Sequence, residues 1–175
     1  MEWVAIAAVL VVLSAVLLSW TAGRVDRLHH RVDSARAGLE AQLMHRSGAT
    51  LELAATGLLD PARSLLLLDA AHQARASDEP DREVAESDLS RALVASLGDE
   101  AEISRMQRHP DVWDLLAELG NACRKVELAR RFHNDVVASA LHLRRNRAVR
   151  WFGLAGHARM PMMVEMDDSW PPALP

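Results

Sequence analysis

Four polar side chains interrupt otherwise apolar helical runs and are the first candidates for chemistry: Gln42, Arg46, His133 and Asn134. Gln42 and Arg46 are one helical turn apart, and His133 and Asn134 are neighbours. Three of the four fall on apolar seams. Such residues serve as a polar layer that fixes the register of a bundle, as a seam Asn does in a coiled coil. The alternative is a partner or ligand pocket inside the bundle.

A second group lies further on. Arg144, Arg145, Arg147 and Arg150 precede Trp151, Phe152 and Leu154. Cations beside aromatic rings suit an anionic lipid surface, where each base contributes about 1 kcal/mol. The plain alternative is a basic helix end that complements the helix dipole. A nucleic-acid partner is disfavoured because the domain as a whole is not basic.

Other chemistry finds little support. The eight histidines form no His-x-x-x-His or His-Glu-x-x-His pattern and no His/Cys cluster, so no metal is expected. Cys123 is the single cysteine, which leaves no disulfide and favours a packed small hydrophobe over a reactive thiol. No phosphate-cradling loop, dinucleotide fingerprint or nucleophile elbow is present. No cofactor is expected, and no catalytic residue is assigned.

The elements that must position these residues are helices. The apolar half of the chain is mostly Ala, Leu and Val, aromatic residues are 4%, and Tyr is absent. Ala, Leu, Arg and Glu lose little rotamer freedom on a helix, whereas sheets draw on β-branched and aromatic residues. The net charge of −4 is unevenly placed. Acids crowd residues 78–102 and bases residues 124–150, which reads as two solvated helix faces of opposite sign.

Residues 3–22, from Trp3 to Ala22, contain no charge. As a helix they span about 30 Å, the thickness of the hydrocarbon layer. Trp3 and Trp20 stand where indole rings favour the interface. Its stretch from Val4 to Leu18 is apolar on all faces except at Ser14, unlike a core helix of a soluble protein. A cleaved signal peptide fits poorly, because only Glu2 precedes the run and no small-x-small site follows it. Arg24, Arg27, Arg31 and Arg36 follow the span and no base precedes it. The positive-inside rule therefore predicts a single-pass membrane protein, N-terminus out and domain cytoplasmic.

The first helix continues past the membrane on a seam of Val25, Leu28, Val32, Ala35, Leu39, Gln42, Arg46, Ala49 and Leu53, stopping near Gly57. Asp60-Pro61 predicts an N-cap with proline at the first helical position. That second helix runs through Leu65, Leu68 and His72 to about Ala76. A third helix covers residues 82–97 and resumes after Gly98 as far as Arg108. Pro110 forces a break at His109. The fourth helix keeps a seam of Val112, Leu115, Leu119, Ala122, Val126, Ala129, His133, Val136, Ala140 and Leu143, ending near Asn146. The expected fold is all-α: a transmembrane helix over 1–22 continuing into an antiparallel bundle of about four helices over 23–154. Residues 155–175 form an extended or disordered tail. Parity brings the end of the last helix back toward the bilayer.

Two stretches together resemble the LemA family of bacterial membrane proteins. One is Arg31-Val32-Asp33-Ser34-Ala35 leading to Leu39-Glu40-Ala41-Gln42-Leu43-Met44-His45-Arg46. The other is Lys125-Val126-Glu127-Leu128-Ala129-Arg130-Arg131-Phe132-His133-Asn134-Asp135-Val136-Val137. The segments 86–93, 109–111 and 151–165 are similar to the family in the same order. His133 stands where the family usually has Tyr, and Gly48-Ala49-Thr50-Leu51 replaces its Ile-Pro-Asn-Leu, which marks a divergent branch. The resemblance implies a membrane-associated helical protein and no defined reaction. The expectation is a non-enzymatic interaction or scaffold protein with a protein partner. The alternatives are a membrane-tethered processing enzyme with an unrecognised site, or an exported helical domain.

Overall fold

The computed structural model describes residues 1–78, 80–108, 110–146, 149, 151–152 and 159–175. Its described residues contain five α-helices and no strand: α1 (Glu2–Ala55), α2 (Pro61–Ala76), α3 (Arg82–Leu97), α4 (Glu100–Met106) and α5 (Pro110–Arg144). Asp60 caps α2 as its sequence predicts, its side chain accepting from the Ala62 amide at 2.9 Å with Pro61 at the first position. Asp99 caps α4 in the same way through the Ala101 amide at 2.9 Å. The expected third helix is thus two, parted at Gly98 and Asp99. Past the end of α1, Gly57 takes φ +72°, a left-handed turn that glycine adopts without a Cβ penalty. The break expected at His109 falls on a residue outside the described set.

The chain divides into two compact units. One comprises Met1–Arg36 and Phe132–Met163, the other Ala37–Arg131 and Val164–Pro175. Both long helices contribute to both units.

In the first unit, residues 3–22 are a helix with no cover. Val9, Leu10, Val11, Val12, Leu13, Val16 and Leu17 are each more than half exposed, and none of the most apolar stretch is buried. Beyond it α1 packs on α5. Val32 and Ala35 meet Val136, Val137 and Ala140, with Leu28 and Leu141 at the margin.

In the second unit all five helices share one core. It is built from Ala49 and Leu53 of α1, Leu67 and Ala71 of α2, Leu89 and Leu93 of α3, Ile103 of α4, and Leu116 and Leu119 of α5. Helix α2 turns inward a face that its sequence did not mark. Its buried residues are Leu67, Ala70, Ala71 and Ala74, whereas Leu65 is 68% exposed and His72 faces solvent. The run Leu65-Leu66-Leu67-Leu68 is apolar all round, so it does not say which face is covered. The small alanines decide it, because they let α2 and α3 pack along one another closely.

The described part of the tail, residues 159–175, has no helix, and Val164–Pro175 is packed in the second unit. Met166 and Leu174 are buried. Arg130 Nε holds Asp168 at 2.7 Å, and the Asp167 amide donates to Ser87 Oγ at 3.0 Å. The Arg124 guanidinium lies over the Trp170 ring, 5.5 Å from its centre, and donates to the Pro175 carbonyl at 3.0 Å. Gly120 permits this approach: a Cβ there would stand 2.5 Å from the Pro175 carbonyl oxygen.

Candidate functional site

The periodicity of α1 carries Arg46 to the interior of the second unit, where it is fully buried. A guanidinium out of water needs acceptors for its fork of donors. They come from α3. One Arg46 terminal nitrogen, Nη2, donates to Glu86 Oε2 at 2.7 Å and to the Glu86 carbonyl at 3.1 Å. The other, Nη1, donates to Ser90 Oγ at 2.9 Å. Arg46 Nε has no partner among the described residues. Glu86 is itself buried, and its spacing from Ser90 puts both on the same face of α3 as Leu89 and Leu93.

Burial pushes the Glu86 carboxyl above its ordinary value, and the nearby Arg46 and Arg82 cations only partly offset this. Cys123 lies in the same unit, and burial pushes its thiol up to about 11 against the pull of Arg46 and Arg124. A protonated, buried thiol is a poor nucleophile. No side chain of this group combines exposure with an activated nucleophile, and the arrangement is that of a structural ion pair.

The four residues read as a polar layer divide between the units. Gln42 is half-buried on α1, one turn before Arg46, in the second unit. His133 and Asn134 belong to the first. His133 is buried, its Nε2 donates to the Met162 carbonyl at 3.3 Å, and its Nδ1 has no partner among the described residues. Asn134 is half-buried. The hydrogen bonds of Arg46 therefore run to α3, where the sequence pointed to the last helix. Glu86 and Ser90 were missed as its partners. Nothing in the sequence singles out Glu86 from the other acids of residues 78–102.

The basic group after α5 is described in part. Arg144 is half-buried and donates to the Arg159 carbonyl at 2.9 Å, while Arg145 is exposed. Trp151 and Phe152 are 85% and 60% exposed. Arg147, Arg150 and Leu154 lie outside the described residues.

A concave feature in the first unit was not foreseen. An open groove of about 620 Å³ runs between α1 and α5, lined by Arg24, Arg27 and Arg31 on one side and Ser139 and His142 on the other. Leu28, Ala138 and Leu143 are its apolar lining. A smaller niche of about 320 Å³ adjoins it at Arg24, His142, Arg145 and Asn146. The spacing of Arg24, Arg27 and Arg31 along one helix face was the available clue.

Among the described residues, no group of three or more His, Cys, Asp or Glu side chains is gathered as a metal site requires. No protein-family model matches the chain, and no curated protein or solved structure is detectably similar to it.

Proposed function

We propose that residues 3–22 cross a bacterial cell membrane once, N-terminus out, and hold an antiparallel helical bundle of the LemA type in the cytoplasm. There the bundle acts as a non-enzymatic interaction or scaffold protein.

One observation carries this reading: the apolar helix end over residues 3–22, about 30 Å long, has no protein packed against it. In water that surface would drive aggregation, whereas in a bilayer it is satisfied. The bases Arg24, Arg27, Arg31 and Arg36 follow it, which favours retention of that side in the cytoplasm. The buried Arg46–Glu86 pair and the raised Cys123 thiol favour a structural interior over a reaction centre. Leu65 and Leu66 on α2 leave apolar surface open for a protein partner.

Alkaline extraction of membranes, with a reporter fused to the C-terminus that is active only in the cytoplasm, tests both parts. The chain is expected to stay in the membrane and the reporter to be active. Release of the chain refutes the anchor. An inactive reporter with the chain retained replaces the reading by an exported helical domain.

A further inference from the structure

We infer that the groove lined by Arg24, Arg27, Arg31, Ser139 and His142 receives the phosphate of an anionic phospholipid headgroup. The inference rests on the reading that residues 3–22 lie in a bilayer, and it adds a ligand to that reading.

The position fits. At 1.5 Å per residue, Arg24 stands about 3 Å and Arg27 about 8 Å beyond Ala22 along α1, within the depth of the headgroup layer. Arg31 lies further out toward water and extends the same cationic stripe. The chemistry fits as well. Guanidinium forks match phosphate oxygens in a bidentate way. The opposite wall adds the Ser139 hydroxyl and the His142 ring, and the adjoining niche adds Arg145. Among the described residues no carboxylate lines the groove or that niche, and the one beside them, Asp135, lines a further niche of about 240 Å³ at the Arg31 and Ser139 end. Arg24, Arg27, Arg31 and Arg145 have no ion-pair partner among the described residues, so their charge is available to a ligand.

The shape points to a lipid rather than a free anion. Leu28, Ala138 and Leu143 give the groove an apolar lining beside its cations. A soluble phosphate gains nothing from that lining, whereas the glycerol and first acyl carbons of a lipid do. Arg27 also lies back along the helix toward the apolar segment, its Nη1 3.4 Å from where a Cβ on Gly23 would stand.

The test uses the full chain in nonionic detergent, titrated with phosphatidylglycerol, phosphatidylcholine or inorganic phosphate, with the thermal unfolding midpoint as readout. Phosphatidylglycerol is expected to raise the midpoint at concentrations at least tenfold below the other two. Each of Arg24→Gln, Arg27→Gln and Arg31→Gln should weaken the response about fivefold, as the loss of one base near an anionic surface implies. Ser139→Glu, which places a carboxylate in the groove, should abolish it, while Arg105→Gln on α4 should leave it unchanged. Each variant's midpoint without lipid reports whether it folds. Equal responses to phosphatidylglycerol and phosphatidylcholine overturn the proposal, and so does a triple Arg→Gln variant that responds like the parent. Inorganic phosphate acting as well as the lipid also overturns it, because the ligand is then a soluble anion. Because the titration is done in detergent, failure of the groove is separable from failure of the anchor, which alkaline extraction alone decides.

Discussion

Replacing Arg46 by Met should cost the second unit about 3–5 kcal/mol, the usual consequence of leaving one member of a buried ion pair without its partner. The magnitude follows from the geometry. Arg46 and Glu86 are 0% and 3% exposed in their side chains and 2.7 Å apart, so little solvent is at hand to replace the lost cation. Arg46→Met also removes donors from the Glu86 carbonyl and Ser90 Oγ. The direction of the Glu86 shift sets the pH dependence. Its folded-state pKa is already above the ordinary value of 4.5 with Arg46 present. A raised carboxyl favours folding below 4.5, and that contribution is lost as pH rises from 4.5 through the folded-state value. Removing Arg46 raises the folded-state value further, so the variant should lose more stability between pH 4 and pH 7 than the parent does. The double variant Arg46→Met with Glu86→Leu should recover most of the loss, because apolar replacement of both partners avoids burying a charge. The assay is denaturant unfolding of the full chain in detergent, followed by circular dichroism at several pH values. A single-variant loss under 1 kcal/mol, or a double variant as unstable as the single, would refute the reasoning.

Two further outcomes follow from the interior of the second unit. Gly120→Ala should dislodge the C-terminus, since the new Cβ would stand 2.5 Å from the Pro175 carbonyl oxygen and 3.3 Å from Leu174 Cβ. A cost of about 1–3 kcal/mol and faster endoproteolysis within residues 159–175 are expected, and unchanged proteolysis would argue against the packed tail. Cys123, with its thiol raised to about 11, should resist maleimide at pH 8 in the native chain and react on unfolding, as mass spectrometry of the intact protein would record.

Much of the helical framework was legible in the sequence because local rules govern it. The seam of α1 is buried at Val25, Val32, Ala35, Leu39, Arg46, Ala49 and Leu53, as its spacing of three and four demands. Asp60-Pro61 announces the start of α2 through cap chemistry that needs no tertiary partner. The covered face of α2 was not legible, because four consecutive leucines carry no phase. The packing of the tail was not legible for a related reason. Val164 and Met166 alternate as an extended, half-buried strap does, but the surrounding acids and prolines conceal so short a pattern.

For the candidate sites the division is sharper. The sequence by itself determined that the chain is helical, that one N-terminal stretch is long and apolar enough to cross a membrane, and that Arg46 and His133 lie on buried seams. These depend on periodicity and composition, which act within a few turns. Only the tertiary structure decided that Arg46 is neutralised by Glu86, forty residues away. It alone set Arg24, Arg27 and Arg31 opposite Ser139 and His142 to form one groove. Those pairings join residues distant in the chain, and the packing of helix against helix fixes them, which no local pattern encodes.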